Sequence, residues 1–215
     1  MMASDSSTLQ DRRIGYFMVL NVTPSMFIGG LMVVDGRGLP VEFRYTEPVE
    51  PSRIQQILYG AALSKYLKRD VILKTLISSI ESRLDLLIVG EEHLLADDLS
   101  QAAQCPVVRL TATSNKPLLH VGDVDKISQY EFLMQLTAQS NPVRLQMKGD
   151  DRLPDATGVR SLPDKEGGID AFKDSDVARF LFDVGQSLEV TEPVERVEKA
   201  LRELSTELKP QGTRG

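Results

Sequence analysis

The chain has 215 residues, of which 41% are hydrophobic, so it can bury an ordinary core without disulfides or a structural metal. Its net charge of -6 disfavours a basic protein steered onto phosphates, and its aromatic content of 6% without tryptophan disfavours a base-stacking platform. One cysteine, Cys105, excludes an intrachain disulfide and a multi-cysteine zinc site. Residues 1–13 are polar and Ser-rich, and they predict a disordered tail without a signal peptide.

The first structured part of the chain predicts strands. Gly15–Leu20 indicates one strand, and a second apolar stretch, Met26–Val34, follows it. Asp35–Gly38 is a turn signal, because glycine adopts positive φ without a Cβ clash. Residues 41–45 then alternate apolar and polar side chains, which is typical of a half-buried strand. We therefore predict an antiparallel β-hairpin over Leu31–Tyr45.

Two helical stretches come next. Pro51 suits a first helical turn, where its missing N–H costs nothing. Apolar side chains recur at helical spacing after it, at Ile54, Ile57, Leu58, Ala61, Ala62 and Tyr66. A second helical stretch runs from about Asp70 to Ser82, and Lys68–Asp70 predicts a kink or a break between the two.

The centre of the chain has the pattern of a parallel crossover. Leu86–Val89 is a short apolar run, typical of a strand buried on both faces. Glu91–Gln104 predicts an amphipathic helix, and Cys105–Leu110 predicts a strand at a sheet edge, because Pro106 cannot donate a ladder hydrogen bond. Strand, helix and strand in this order favour a right-handed parallel connection.

The second half of the chain has weaker patterns. Leu118–Val121 predicts a strand, Ile127–Ala138 a helix and Val143–Met147 a strand. Asp176–Gly185 predicts a helix, and a final helix begins at Pro193. The domain organisation is a tail (1–13), a core (14–148), a loop or linker (149–168), a C-terminal helical segment (169–208) and a frayed tail (209–215).

Together these elements predict an α/β or α+β fold. Its mixed sheet opens with an antiparallel β-hairpin, and helices, a parallel βαβ unit and C-terminal helices follow. The βββα opening resembles ribonuclease-H-like and longin/roadblock-like scaffolds, an analogy of fold that does not set a function. No apolar run approaches the ~20 residues of a membrane helix, so we expect a cytoplasmic protein without a membrane partner.

Carboxylates give one hypothesis for a functional site. Candidate catalytic or metal-binding side chains at strand ends are Asp35, Glu42, Asp85, Glu91 and Glu92, with Asp97 and Asp98 nearby in the sequence. Strand-end carboxylates hold the Mg²⁺ or Mn²⁺ ions of many nucleases. Most of them also have a structural interpretation, which places Asp35 in a turn, Glu91 and Glu92 at a helix N-terminus, and Asp97 and Asp98 on a solvated face.

Other candidate chemistry is weaker. His93 and His120 lie in no metal-ligand spacing, and Cys105 lies outside a helix N-terminus that would stabilise a thiolate. The glycines at 29–30 and 36–38 match no phosphate-binding loop; they indicate a bulge or close backbone approach and a hairpin turn. We predict no cofactor apart from Mg²⁺ or Mn²⁺ in the nuclease alternative.

The remaining feature is a possible interface. Arg44 and Tyr45 end the hairpin, and Tyr59 and Tyr66 lie on the following helix, so these four are interface candidates. The leading hypothesis is a non-catalytic cytosolic interaction protein or subunit of a larger assembly. A protein partner or homo-oligomer is then expected, and nucleic acid is disfavoured. The alternatives are a metal-dependent phosphodiesterase or nuclease and a small-molecule-binding regulatory domain with its ligand at the carboxyl ends of the parallel strands.

Overall fold

A computed structural model describes residues 9–148 and 167–207. Its strands are β1 (Ile14–Thr23), β2 (Met26–Val34), β3 (Pro40–Tyr45), β4 (Leu86–Val89), β5 (Val107–Ala112), β6 (Val124–Ser128), β7 (Glu131–Met134) and β8 (Val143–Met147). Its α-helices are α1 (Arg53–Tyr59), α2 (Leu63–Tyr66), α3 (Lys74–Ser79), α4 (Asp97–Ala103), α5 (Gly167–Lys173), α6 (Asp176–Gly185) and α7 (Glu192–Glu207). No helix in these ranges is long and apolar enough to cross a membrane.

Within the described residues the strands form one mixed sheet in the order β3-β2-β1-β4-β5-β8-β7-β6. The strands β1, β4 and β5 run parallel at its centre, and the pairs outside them are antiparallel. The mixed α/β fold and the C-terminal helices are therefore confirmed. The parallel strands place their carboxyl ends at one edge of the sheet, where ligands commonly bind in such sheets.

Apolar side chains cover both faces of this sheet. Alternation along β1 places Tyr16 on one face and Phe17 on the other, because successive side chains of a strand point to opposite sides. The first face packs against α5–α7, including Phe172, which stacks on Phe132 at 4.0 Å between ring centroids. The second face packs against α3, α4 and the π-helical segment Leu67–Leu73.

Glycines allow these helices to approach the sheet closely. A Cβ added at Gly29 would lie 2.1 Å from Cγ2 of Ile72, and one at Gly30 would lie 2.9 Å from Cδ2 of Leu201. The predicted close backbone approach at these glycines is confirmed. Any larger residue at position 29 would overpack the contact between β2 and the π-helical segment.

Several local predictions are confirmed. The hairpin over Leu31–Tyr45 is the β2–β3 pair, and Leu86–Val89 is fully buried as β4. Asp176–Gly185 is a helix with a buried apolar face, and the last helix directs Val197 and Leu201 into the core.

Other local predictions are wrong. The strand after Pro106 is interior, because β5 pairs with both β4 and β8. Residues 127–138, predicted as a helix, include the last two residues of β6 and all of β7, because strand pairing in the sheet overrides their helical spacing. Leu118–Val121 is a turn region, and the helix over 91–104 is reduced to a 3₁₀ turn and α4. The linker predicted at 149–168 and the tail at 209–215 lie almost entirely outside the described residues. Of the tail predicted at 1–13, residues 9–13 are described, and the Leu9 carbonyl accepts a hydrogen bond from Gly36.

The first helical stretch differs most from its sequence pattern. Residues 53–79 form one helical run with a 3₁₀ turn at Gly60–Ala62 and π-helical turns where the kink was predicted. Its apolar side chains Ile54, Ile57 and Leu58 do not face the core; they are 69%, 68% and 75% exposed. The predicted helix is therefore correct, but its apolar face is exposed to solvent and not buried against the sheet.

Candidate functional site

The candidate carboxylates separate into two groups at opposite ends of the parallel strands. Asp35 follows the β2 residue that pairs with Ile14, and Asp85 precedes the β4 residue that pairs with Ile14. Both therefore lie at the amino end of β1, and Glu42 on β3 lies close to the same level. Glu91 lies beyond the other end of β4, about 20 Å along the strand direction at ~3.3 Å per residue. The structure does not bring these carboxylates together.

At the amino end of the parallel strands, the carboxylates accept hydrogen bonds from other groups of the protein. The buried Asp35 accepts hydrogen bonds from the backbone N–H groups of Arg37 and Leu39 and from the Arg37 guanidinium. Burial raises the pKa of Asp35, but the hydrogen bonds outweigh burial and hold the pKa below its usual value. Asp85 accepts a hydrogen bond from the Arg13 backbone at 2.8 Å.

Glu42 has the same structural character. Its carboxylate accepts hydrogen bonds from the backbone N–H groups of Glu81 and Ser82, from the Ser82 hydroxyl and from Arg44. Burial raises the pKa of Glu42, but these hydrogen bonds prevail and lower it below its usual value. The carboxylate thus joins β3 to the residues that precede β4.

The carboxyl end of β4 opens into a shallow cleft of about 550 Å³. Its lining comes from the segment that follows β4, from β5 and from α2: Gly90, Glu91, Glu92, His93, Arg109 and Lys65. The cleft forms here because β4 ends at Val89, while β5 continues past it. The residues that leave β4 therefore turn across the sheet edge and present polar groups.

Glu91 is held in place by a buried lysine. Lys68, on the π-helical segment, directs its Nζ to both Glu91 carboxylate oxygens at 2.8 and 3.1 Å. Nδ1 of His93 lies 3.5 Å from Oε2 of the same carboxylate. Burial lowers the pKa of His93, and the nearby Glu91 only partly offsets this effect. Burial of the imidazole therefore disfavours a positive charge on His93.

A second set of ion pairs lies beside the cleft. Asp98 on α4 binds Arg69 and accepts a hydrogen bond from Lys74 at 3.0 Å. Hydrogen bonding to Arg69 is the main cause that lowers the pKa of Asp98 to about 2. Asp97 lies 3.6 Å from Lys148. Both carboxylates are thus neutralised by cations of the protein itself and are not available to a ligand.

Two cations of the cleft have no such partner. Arg109 donates to the Gly90 carbonyl at 3.1 Å and to Oε1 of Gln146 at 2.6 Å, which fixes its guanidinium at the sheet edge. Within residues 9–148 and 167–207, neither Arg109 nor Lys65 forms an ion pair with a carboxylate. Glu92 is likewise free of an ion pair in that part of the chain. The cleft thus offers two cations and one carboxylate that form no ion pair among the described residues, and we call such charges uncompensated, although Glu92 interacts at longer range with Arg144.

The described residues do not fit a catalytic metal. They contain no group of three or more His, Cys, Asp or Glu side chains that could hold a metal ion. The central strands β1 and β4 carry no carboxylate, and Glu91 is already neutralised by Lys68. We therefore derive no chemical step through Mg²⁺ or Mn²⁺.

The other sequence candidates lie outside the cleft. His120 is exposed beside Asp123, and Cys105 is buried, which raises the pKa of its thiol to about 12 and keeps it protonated. Arg44 pairs with Glu42 and Glu81, and Tyr45 packs beside Phe43.

The tyrosines that follow the hairpin remain accessible. Tyr59 and Tyr66 stack on each other with ring centroids 4.8 Å apart, and both stay partly exposed. Of the four interface candidates they are the pair that forms a stacked aromatic surface, and it lies on the helical run that also supplies Lys65 to the cleft.

A second cavity, of about 510 Å³, lies beyond the carboxyl end of β5. Hydroxyl and amide side chains such as Thr113, Asn141 and Gln186 line it, together with Glu189. Small-molecule binding at these strand ends stays a prediction.

Sequence reasoning missed Arg109, Lys65 and Lys68. The signal for Arg109 was available, since it is a lone charge inside an apolar strand that ends at the same edge as β4. Lys68 is likewise a lone charge among the buried positions of its helical run. A long cation inside an apolar element is thus a sequence signal for a polar site at the end of that element.

The sequence matches no known protein family, and it matches no curated protein. Solved structures do match the fold. Human endonuclease V is 13% identical, with 95% of each chain covered and a TM-score of 0.56. Endonuclease V from Streptomyces avermitilis is 10% identical, with 91% of this chain and 82% of that chain covered and a TM-score of 0.54.

A further match is endonuclease V from Ciona intestinalis bound to a 23mer DNA that contains an inosine followed by a ribo-adenosine. It is 9% identical, with 92% of this chain and 87% of that chain covered and a TM-score of 0.53. At these identities the likeness establishes the fold alone.

These matches correct two expectations. The leading hypothesis, a non-catalytic interaction protein defined by protein–protein contacts, is wrong, because the solved structures that share this fold across nearly the whole chain are nucleases. The expectation that nucleic acid is an unlikely partner is wrong for the same reason, since one of those structures holds DNA.

Proposed function

We propose that this chain acts on nucleic acid and binds the phosphate backbone in the cleft at the carboxyl end of β4. The observation that carries the proposal is the pair of uncompensated cations, Arg109 and Lys65, at this edge of an endonuclease-V-like fold. A phosphate oxygen accepts hydrogen bonds from a guanidinium or an ammonium, and no carboxylate competes for these two cations within the described residues.

The neighbouring charges support a phosphate rather than a cation as the ligand. Lys68 neutralises Glu91, and Arg69 and Lys74 neutralise Asp98, so the acidic side chains near the cleft repel a phosphate less than their number suggests. The proposal accordingly depends on local pairing rather than on the net charge of -6.

Binding is tested by fluorescence anisotropy with a labelled oligonucleotide over a series of salt concentrations. Replacing Arg109→Gln removes one phosphate contact, so we expect about tenfold weaker binding and a log K against log salt slope that is shallower by about 0.7–0.9. Arg109→Lys keeps the charge and should recover most of the affinity.

The matched control is Arg179→Gln, which removes an exposed arginine from the amino end of the sheet. It should leave both affinity and slope unchanged. Equal losses in the two glutamine variants would show non-specific binding and would contradict a phosphate site in the cleft.

Phosphodiester hydrolysis is a second candidate function, and Glu92 is the observation that favours it. It is exposed, and within the described residues it is the cleft carboxylate without an ion pair. Beside a phosphate held by Arg109, the Glu92 carboxylate can accept a proton from water as the water oxygen bonds to phosphorus. The sugar oxygen then leaves with its electron pair and takes a proton from solvent.

Cleavage of labelled single-stranded and duplex oligonucleotides tests this second function. Glu92→Gln should abolish cleavage without weakening binding, whereas Glu203→Gln on the exposed side of α7 should change neither. Wild-type cleavage that disappears with EDTA would contradict the proposed arrangement, because the described residues provide no metal site. Binding without any cleavage would leave the first function and remove the second.

A further inference from the structure

The segment Ser52–Tyr66, which we call the exposed segment, protrudes from the sheet beside the cleft. It comprises α1, the 3₁₀ turn and α2, and none of the helical residues in these three elements is buried. A capping box at Ser52 and Gln55 starts the segment, so it is a defined helix and not a frayed loop.

The exposed segment presents apolar and aromatic side chains to solvent. Ile54, Ile57 and Leu58 form one open aliphatic row at helical spacing. Tyr59 and Tyr66 add a stacked aromatic pair with 41% and 38% of their surface exposed. Exposed apolar surface of this extent on a helix marks a binding surface more often than a solvent-facing one.

The charge of the exposed segment selects an anionic partner. Residues 52–66 contain Arg53 and Lys65 and no Asp or Glu, in a chain whose net charge is -6. A local excess of two positive charges on an acidic protein is complementary to phosphates. Flat aromatic faces between cations are the surface on which proteins stack the bases of single strands.

Lys65 connects this surface to the cleft. It belongs to the exposed segment and also lines the cleft together with Arg109. A strand whose phosphate is bound in the cleft therefore leaves it beside the helix that carries the tyrosines. A duplex keeps its bases stacked inside, so only unpaired bases can use the tyrosine faces.

We propose that the exposed segment binds unpaired bases of single-stranded nucleic acid by stacking on Tyr59 and Tyr66. This inference rests on the proposed function and specifies its substrate class. The low aromatic content of the chain argued against such a platform, but a composition average does not reveal that two of the 5 tyrosines stack together on the surface.

The test compares a single strand of about 16 nucleotides with the matching duplex in the anisotropy assay. Tyr59→Ala with Tyr66→Ala should weaken single-strand binding by about 5- to 100-fold and change duplex binding less than twofold. Tyr59→Phe with Tyr66→Phe should retain binding, because phenylalanine keeps the stacking face. Leu119→Ala, at an exposed apolar side chain outside the segment, is the matched control.

The outcomes separate this inference from the proposed function. If wild type binds neither form of nucleic acid, both fail. If binding depends on Arg109 but not on the tyrosines, the inference alone is overturned. An anionic phospholipid membrane is the alternative partner of the same charge, and flotation with phosphatidylserine vesicles tests it. The inference would also be overturned if Leu58→Ser abolished flotation while the tyrosine substitutions left single-strand binding unchanged. Circular dichroism melting confirms that each variant is folded.

Discussion

The two ends of the parallel strands carry the same types of charged side chain, but these side chains differ in whether the fold pairs them. At the amino end, Asp35 and Glu42 accept hydrogen bonds from backbone N–H groups and arginines, and their carboxylates are satisfied by the fold. At the carboxyl end, Arg109 is held only by neutral oxygens, and Glu92 forms no ion pair within the described residues. The charges at the amino end therefore hold elements of the fold together, whereas the carboxyl end retains uncompensated charge.

This difference teaches that the pairing of a charge matters more than its place in the sequence. A charge satisfied by the fold contributes stability and has little capacity left for a ligand. An uncompensated charge fixed by neutral partners contributes little stability but is available for binding. Substitutions at the two ends should therefore move different observables, and the predictions below use that contrast.

The largest expected effect is on stability at the amino end. Asp35→Ala removes a buried carboxylate and leaves backbone N–H groups of the turn without acceptors, so we expect a loss of about 3 kcal/mol in the free energy of unfolding. Urea denaturation measures it, with Asp174→Ala, an exposed carboxylate, as control. Affinity for oligonucleotides should not change, and a loss below about 1 kcal/mol would break the contrast.

A smaller stability effect is expected at the carboxyl end, at the Lys68–Glu91 ion pair. Glu91→Gln leaves the buried Lys68 ammonium without its counter-charge, and we expect a loss of about 2 kcal/mol, reduced from a fully buried pair because Glu91 is partly exposed. Lys68→Met should be nearly neutral for stability in urea denaturation.

The same pair makes a binding prediction. Lys68→Met leaves the Glu91 carboxylate uncompensated in the cleft, so oligonucleotide binding should weaken about threefold to tenfold. Tighter binding in this variant would show that Lys68 does not act by neutralising Glu91.

The smallest effect is the acid dependence of stability. The folded pKa values of Asp35, Glu42 and Asp98 are all below their ordinary values, and that of Asp98 is about 2. Their stabilisation is fully present above the unfolded pKa, near pH 4, and is lost as the pH falls through the folded values. Melting temperatures should be level from about pH 7 to pH 5 and decline below pH 4. A maximum below pH 4 would contradict this assignment.

Sequence reasoning predicted the parts of the fold that depend on local pattern. Alternation identified the hairpin that ends at Tyr45, and an apolar run identified the buried strand Leu86–Val89. Residues 127–138 were misassigned because their helical spacing is also compatible with two short strands, and only the sheet neighbours decide between them. The exposure of Ile54 and Leu58 was equally unpredictable, since periodicity shows which side chains share a helix face but not whether another element packs against that face.

The candidate site was half predictable. The segment Glu91–Glu92 after a buried strand was identified as a position for chemistry, and it does line the cleft. Convergence with Asp35 and Asp85 was not testable from sequence, because strand order and direction decide which end of the sheet a residue occupies. The free cations were missed because availability depends on which carboxylate lies nearby in space.

The most direct test of the central claim is an NMR titration of the isotopically labelled chain with a short single-stranded oligonucleotide. Amide shifts should concentrate at Gly90–His93, Arg109 and Lys65, at the carboxyl end of the parallel strands. Shifts concentrated at Asp85 and Arg179, at the amino end, would contradict the claim that uncompensated charge locates the binding site.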